Sequence, residues 1–180
     1  MTDIRVLVLV GSLRADSVNR KLAEVLRDQA PDGVVVDIAE DLGALPFYNE
    51  DLDAGEIPAA AVALRAAVAD ADAVLAVTPE YNGTMPAALN NAIDWLSRPY
   101  GTGAITGKPF GVVGATPTPY GGKWAHEHAQ HSAGIAGAVV VDGAVASQSA
   151  LEVDVLTDPD VLARFHDVLR SLAAFQPAAA

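Results

Sequence analysis

Short apolar runs alternate with longer segments of helical spacing along the 180 residues, and this alternation constrains the fold most. Five runs are rich in β-branched residues and almost continuously apolar, as expected for strands that are covered on both faces. The predicted strands are Ile4 to Val10, Val34 to Ile38, Ala73 to Thr78, Phe110 to Ala115 and Ala138 to Val141.

The segments between the strands place apolar residues on one face of a helix. The sets are Val18, Leu22, Val25 and Leu26; Leu64 and Val68; Met85, Leu89, Ala92, Ile93 and Leu96; and Val161, Phe165, Val168 and Leu172. Residues 121–134 have a weaker pattern, but their position between two strands favours a helix. The order βαβαβαβαβα predicts one α/β domain over residues 1–180, with a frayed tail at residues 176–180.

Five parallel strands with helical crossovers favour a doubly wound sheet of strand order 2-1-3-4-5. In such a sheet, ligands bind at the carboxyl ends of strands 1 and 3. The loops after strands 1, 3 and 4 would meet there, and their sequences contain unusually many polar, glycine and proline residues. We call them the first loop (residues 11–20), the second loop (residues 78–86) and the third loop (residues 115–124).

The formal charge of −12 narrows the range of partners. Nucleic acid and anionic membrane surfaces would be repelled, because binding to them needs clustered Lys and Arg. No apolar run reaches the roughly 18 residues of a membrane span. The chain has no cysteine, and acidic Asp3 stands before the first strand where a secretory signal would be basic. We therefore expect a cytoplasmic protein.

The first loop, GSLRADSVNR, carries more hydrogen-bond donors than a turn requires. Ser12, Arg14, Ser17 and Asn19 lie around a predicted helix N-terminus, a combination that suits a phosphate. The alternative is that Ser17 or Asp16 only caps the helix and that Arg14 is solvated. The loop lacks both G-x-x-x-x-G-K-[ST] and G-x-G-x-x-G, which disfavours ATP and dinucleotide sites and favours a terminal monophosphate.

The second loop contains Pro79, Glu80, Tyr81, Asn82 and Gly83, whose backbone donors and aromatic ring could meet a flat heterocycle. The alternative is a plain turn in which Asn82 or Thr84 caps the next helix. The third loop contains Thr116 and the paired glycines Gly121 and Gly122, which permit close backbone approach to a ligand. It could equally be a rigid connection.

The motifs GSLRADSVNRK, TPEYNGTMPAALNNAIDWLSRP and GKPFGVVGATPTPYGG, in this order, resemble the NADPH-dependent FMN reductase family of flavodoxin-like proteins. This resemblance implies an FMN cofactor, NAD(P)H as co-substrate and a homodimer or homotetramer. It places the phosphate on Ser12, Arg14, Ser17 and Asn19 and the isoalloxazine ring on residues 79–83, with Thr116 and Gly121 completing the pocket. The sequence departs from the family pattern in two places: the Thr-Pro-Thr-Pro sequence after strand 4 and the three histidines that follow it.

The function that the resemblance implies is NAD(P)H-dependent reduction of bound FMN, followed by transfer of two electrons to a quinone, chromate or free flavin. The flavin carries this chemistry, so we predict no catalytic side chain. A flavodoxin-like one-electron carrier or a non-catalytic flavin-binding or regulatory protein are the alternatives. The sequence does not choose between NADH and NADPH, between dimer and tetramer, or among acceptors.

Three histidines, His126, His128 and His131, suggest a metal site, but their helical spacing prevents all three from facing one ion. We predict no metal and expect a polar face or a subunit contact. Trp95 should pack in the core or an interface, and Trp124 could shape the exposed face of the flavin. His166 is expected to be exposed.

Overall fold

A computed structural model describes residues 3–175, so the predicted frayed tail at residues 176–180 lies outside the described residues. Its centre is a five-stranded parallel sheet of order β2-β1-β3-β4-β5, which confirms the predicted topology. The strands are β1 (Ile4–Val10), β2 (Val34–Ile38), β3 (Ala73–Val77), β4 (Pro109–Thr116) and β5 (Val139–Ser149). The single domain over residues 1–180 stays a prediction.

Helices cover both faces of the sheet, because alternate side chains of each strand point in opposite directions. The helices are α1 (Val18–Asp28), α2 (Glu50–Ala54), α3 (Ala59–Asp70), α4 (Ala87–Leu96), α5 (Lys123–Ile135) and α6 (Pro159–Ala174). Val6, Val8 and Val10 share one core with α1 and α6, and Leu7 and Leu9 share the other with α3, α4 and α5.

The predicted core faces of the helices are buried, with two exceptions in α1. Leu22 and Leu26 are fully buried, but Val25 is half-buried and Val18, the first residue of the helix, is 43% exposed. Residues 37–56, which are rich in Asp and Glu, are mostly exposed and contain the short helix α2 and a 3-10 turn at Leu42–Ala44. Within residues 3–175 no helix is long and apolar enough to cross a membrane.

Strand β5 is much longer than the predicted Ala138 to Val141. Its pairing with β4 passes from Phe110↔Val140 to Val112↔Val145, so extra residues bulge out around Gly143 before the strand resumes. β5 is an edge strand of the sheet, and beyond the bulge it carries polar residues up to Ser149. A search for continuous apolar character therefore misses its second half.

Candidate functional site

The three polar loops begin side by side at one edge of the sheet. The Gly11 N–H donates to the Val77 carbonyl oxygen at 2.9 Å, and the Thr78 N–H donates to the Val113 carbonyl oxygen at 3.0 Å. These bonds continue the ladders of β1, β3 and β4 to the points where the chain leaves the sheet. The predicted convergence of the loops is therefore confirmed.

The first loop presents a row of free backbone donors. Within residues 3–175, no backbone N–H from Ser12 to Asp16 donates to a protein acceptor. Helix α1 begins immediately afterwards, at Val18, and its first N–H groups carry the partial positive charge of a helix N-terminus. An anion with several oxygens matches this surface, because each free N–H needs an acceptor.

Arg14 adds a positive charge to the same loop, and within residues 3–175 its guanidinium has no protein partner. The chain has 11 Lys and Arg residues, all of them in the described part. Ten are engaged there by a carboxylate, a carbonyl, an amide or a hydroxyl oxygen. Arg14 is the exception in residues 3–175, and its side chain is exposed.

Ser17 and Asn19 both have structural partners. Ser17 is the N-cap of α1, and its Oγ accepts from the Arg20 N–H at 3.2 Å. Its hydroxyl proton remains available, so capping and ligand binding are compatible. The Asn19 amide is buried against Ala115 in β4, where it makes two hydrogen bonds and keeps one Nδ2 hydrogen. Ser12, at the start of the loop, is 8% exposed.

The second loop is a tight turn, not a helix cap. Tyr81 and Thr84 exchange both backbone hydrogen bonds, at 2.9 and 3.1 Å, and the residues between them have positive φ: Asn82 at 53° and Gly83 at 71°. This is the geometry of a type I′ turn, for which Asn-Gly is the preferred sequence. Neither Asn82 nor Thr84 caps α4, whose N-cap is Pro86.

The turn directs two backbone donors outward. Within residues 3–175, the N–H groups of Asn82 and Gly83 have no protein acceptor. The Tyr81 ring beside them is 44% exposed, and Pro79 is buried. The loop thus offers an aromatic face and free donors, which are what the polar edge of a flat heterocycle requires.

The third loop is held against the end of β5. Thr116 is buried, with its Oγ1 2.9 Å from Thr118 Oγ1. Gly121 lies so close to the β5 backbone that a Cβ would come within 2.8 Å of the Gln148 carbonyl carbon. The rings of Tyr120 and Trp124 pair at 4.6 Å between centroids and are 59% and 41% exposed.

The histidines of α5 have three different environments. His126 is buried, His128 Nδ1 lies 2.8 Å from Thr84 Oγ1, and His131 is exposed. The expectation of a polar face or a subunit contact is therefore wrong for His126, which is buried within the chain itself. Burial lowers the pKa of His126, against the opposing effects of a hydrogen bond to Thr78 and the charge of Glu80. Within residues 3–175, no three metal-ligating side chains gather in one place.

Trp95 and His166 differ in how deeply they are buried. Trp95 is fully buried and donates from Nε1 to the Pro46 carbonyl oxygen at 2.8 Å, which confirms its core role. His166, expected to be exposed, is half-buried on α6. Desolvation lowers its pKa, helped by the nearby positive charge of Arg170.

The donor set fits a flavin mononucleotide. Free N–H groups at Ser12 to Asp16, the start of α1 and unpaired Arg14 suit a dianionic monophosphate. The exposed turn of the second loop suits the heterocycle. Sequence reasoning missed the links behind these loops, which involve Glu80 and His126, because no local motif marks their remote partners.

Comparison with known proteins identifies the family. Residues 4–152 match the family model described as NADPH-dependent FMN reductase. The chain is 43% identical to a 2-hydroxy-1,4-benzoquinone reductase of Burkholderia over 125 residues, which are 69% of this chain and 67% of that protein. It is 46% identical to a quinone reductase of Pseudomonas putida over 127 residues, 71% of this chain and 68% of that one.

A solved structure agrees with this assignment over almost the whole chain. The flavoenzyme FerB, an NAD(P)H:(acceptor) oxidoreductase from Paracoccus denitrificans, superposes with a TM-score of 0.79 at 32% identity. The match covers 94% of this chain and 95% of FerB. The chain belongs to the NADPH-dependent FMN reductase family.

Proposed function

We propose that this chain uses FMN to oxidise NAD(P)H and passes two electrons to a small quinone. The family establishes it as an FMN-dependent oxidoreductase with a small-molecule acceptor. The net reaction converts NAD(P)H, a quinone and one proton into NAD(P)⁺ and a hydroquinone. Quinone is chosen over chromate or free flavin because the similar proteins from Burkholderia and Pseudomonas putida are quinone reductases.

The observation that carries the proposal is the adjacency of two unsatisfied donor groups at one sheet edge. The free N–H groups and Arg14 follow β1, and the Asn82–Gly83 turn follows β3. Strands β1 and β3 are paired neighbours in the sheet. An electron carrier or a regulatory protein could bind flavin with the same groups. Those alternatives differ in whether NAD(P)H reduces the flavin directly.

Each loop has a proposed role toward FMN. Arg14, with Ser12, Ser17, Asn19 and the N–H groups between them, holds the phosphate. The second loop, from Pro79 and Glu80 through Tyr81 to Asn82 and Gly83, lines the isoalloxazine ring. Thr116 and Gly121 close the third side. FMN, when bound, supplies the hydride and electron chemistry, and the protein binds and orients the reactants.

Backbone donors of the second loop also set the electrostatics of the ring. The Asn82 and Gly83 N–H groups are held by the turn before any ligand arrives, so they need no rearrangement when negative charge develops near them. Preorganised donors of this kind stabilise anionic states more strongly than water does. We infer that this turn favours the reduced cofactor.

Anaerobic mixing tests the proposal. Purified protein reconstituted with FMN should lose its visible flavin absorbance on addition of NADH or NADPH, and a benzoquinone should then restore it. Comparing the rates of bleaching by NADH and NADPH at equal concentration shows which of the two is the better reductant. Flavin that stays oxidised with both nicotinamides, but is bleached by dithionite, would instead favour the one-electron carrier. A protein that takes up no FMN would favour the non-catalytic alternative.

The assembly state and the cellular location are also proposals. A homodimer or homotetramer is implied by the family resemblance, and exposed Tyr81 and Tyr100 offer apolar surface for such a contact. Light scattering coupled to size exclusion would distinguish monomer, dimer and tetramer. Cytoplasmic location rests on the sequence argument, and fractionation of cells that express the protein would check it.

A further inference from the structure

His126 is enclosed between three segments that end at the candidate site. Its ring is 1% exposed. Nε2 lies 3.2 Å from the Thr78 carbonyl oxygen, and Nδ1 lies 2.6 Å from Ser147 Oγ. Because a carbonyl only accepts, the proton must be on Nε2 for this bond to form, and Nδ1 then accepts from the serine hydroxyl. The carbonyl contact requires the proton on Nε2, and burial, which lowers the pKa of the ring, favours the neutral form with Nδ1 unprotonated.

The surrounding backbone leaves space for this ring and for no more. A Cβ at Gly114 in β4 would overlap the Thr78 carbonyl oxygen and come within 2.9 Å of His126 Nε2. A Cβ at Gly122, just before α5, would come within 3.2 Å of the same nitrogen. Glycine at both positions is therefore what allows the imidazole to reach the end of β3. Such close packing fits a constrained side chain better than a loosely filled core.

A second contact joins the same two segments. Glu80 Oε2 accepts from the Ala125 N–H at 3.1 Å, at the third residue of α5. Helix α5 has no side-chain cap of its own, because its N-cap is Gly122. The carboxylate therefore satisfies one free N–H and places negative charge at a helix N-terminus, where it is favourable. Residues 78 and 80 are thus both tied to α5, on either side of Pro79.

We propose that His126, with Glu80, is a positioning residue that holds the second loop where its turn can face the isoalloxazine ring. This inference rests on the proposed FMN function. The turn at Asn82 and Gly83 follows directly after the two tied residues. Its free N–H groups can face the ring only while Thr78 and Glu80 stay in place. His126 does not itself touch the ligand surface and transfers no proton.

The proposed role of His126 concerns the isoalloxazine ring of the flavin and not its phosphate. Binding of riboflavin therefore tests this role separately from the phosphate contacts. Riboflavin has the ring without the phosphate, so an effect on ring positioning should appear with both ligands. We expect His126→Ala to weaken FMN and riboflavin binding by similar factors, on the order of tenfold for each lost hydrogen bond that orders the loop. His126→Gln, which retains an N–H donor and an acceptor, should recover part of the loss.

The experiment combines binding with a spectroscopic measurement on the ligand-free protein. Titration of FMN and of riboflavin into wild type, His126→Gln, His126→Ala and the control His131→Gln gives the affinities. His131 is exposed on the same helix and should have no effect. Nitrogen-15 NMR of the histidine side chains in ligand-free wild type should find the proton of His126 on Nε2 at neutral pH.

Each outcome decides the proposal. Matching losses for both ligands in the two His126 variants, larger in Ala than in Gln, support it, and the Gln variant keeps it testable if the Ala variant does not fold. Unchanged riboflavin affinity in a folded His126 variant, or a proton on Nδ1, would overturn the positioning role alone. A wild-type protein that binds neither flavin would overturn the proposed function and this inference with it.

Discussion

The side-chain amide of Asn19 in α1 satisfies both backbone hydrogen-bonding groups of Ala115 in β4. Asn19 Oδ1 accepts from the Ala115 N–H at 2.9 Å, and Asn19 Nδ2 donates to the Ala115 carbonyl oxygen at 2.9 Å. The bridge forms where β3 has already ended at Val77 and no longer covers that side of β4. It ties the helix of the first loop to the strand that leads into the third loop.

Removal of this bridge should cost stability as well as ligand affinity. We expect Asn19→Ala to lower the free energy of unfolding by about 2–4 kcal/mol, because two buried backbone groups lose their partners. Urea denaturation followed by circular dichroism measures the difference. Asn90→Ala is the control, since Asn90 is half-buried and bonds only to side chains. Equal losses in the two variants would contradict the structural role of Asn19.

Arg14 should matter for the phosphate and not for the ring. We expect Arg14→Ala to weaken FMN binding by roughly 10- to 100-fold, as lost charge-assisted hydrogen bonds do, while the affinity for riboflavin stays the same. Fluorescence titration with both ligands measures the two affinities. Arg27→Ala, which removes an exposed cation from the far end of α1, is the control. If riboflavin affinity fell as far as FMN affinity, Arg14 would not be the phosphate ligand.

Acid should destabilise the fold through His126. Burial lowers the pKa of this imidazole, so the unfolded state takes up a proton near its ordinary pKa of 6.5, and the folded state does so only at lower pH. The contribution of His126 to the free energy of unfolding is therefore at its maximum above pH 6.5. It falls as the pH drops, with a slope of at most about 1.4 kcal/mol per pH unit, until the folded pKa is reached.

A difference measurement isolates this group. His166 has a lowered pKa and Asp94 a pKa raised by burial, so the profile of the wild type alone contains several contributions. Denaturation of wild type and His126→Gln between pH 7.5 and the lowest pH at which both fold should give curves that converge with acid. Parallel curves would mean that His126 keeps an ordinary pKa.

Trp124 should influence which acceptors react well. Its ring pairs with Tyr120, is partly exposed and neighbours Ala125, to which Glu80 of the second loop is bound. We expect Trp124→Ala to raise the KM for a benzoquinone by roughly 3- to 10-fold, the effect of losing one aromatic stacking partner. Steady-state assays with ferricyanide, which cannot stack, provide the control acceptor. A similar change with both acceptors would argue against a stacking role.

Some of the site could be predicted because its signals are local. Strand and helix periods indicated the sheet order, and that order brought three separate loops to one edge. The donors of the first loop stood within nine positions of the sequence, and Asn82–Gly83 is a sequence preferred in type I′ turns. Such preferences act over a few residues, so they can be recognised before the fold is known.

Other features depend on partners that lie far away along the chain. The Asn19 amide was predicted as a phosphate donor, and its pairing with Ala115 became visible only when α1 and β4 were placed side by side. His126 was expected on a polar helix face, yet it is buried, because Gly114 and Gly122 leave room for its ring. The second half of β5 followed from pairing with β4 across a bulge.

The sequence by itself therefore determined the doubly wound fold, the edge where the loops meet and the polar donors of the first loop. Period, composition and turn preference are properties of neighbouring residues, and they suffice for these features. The tertiary structure alone decided which polar groups stay free for a ligand and which are used to hold the loops. Buried hydrogen-bonding groups bond to the partners that packing brings to them, and the partners of Asn19, Glu80 and His126 lie 21 to 96 positions away along the chain.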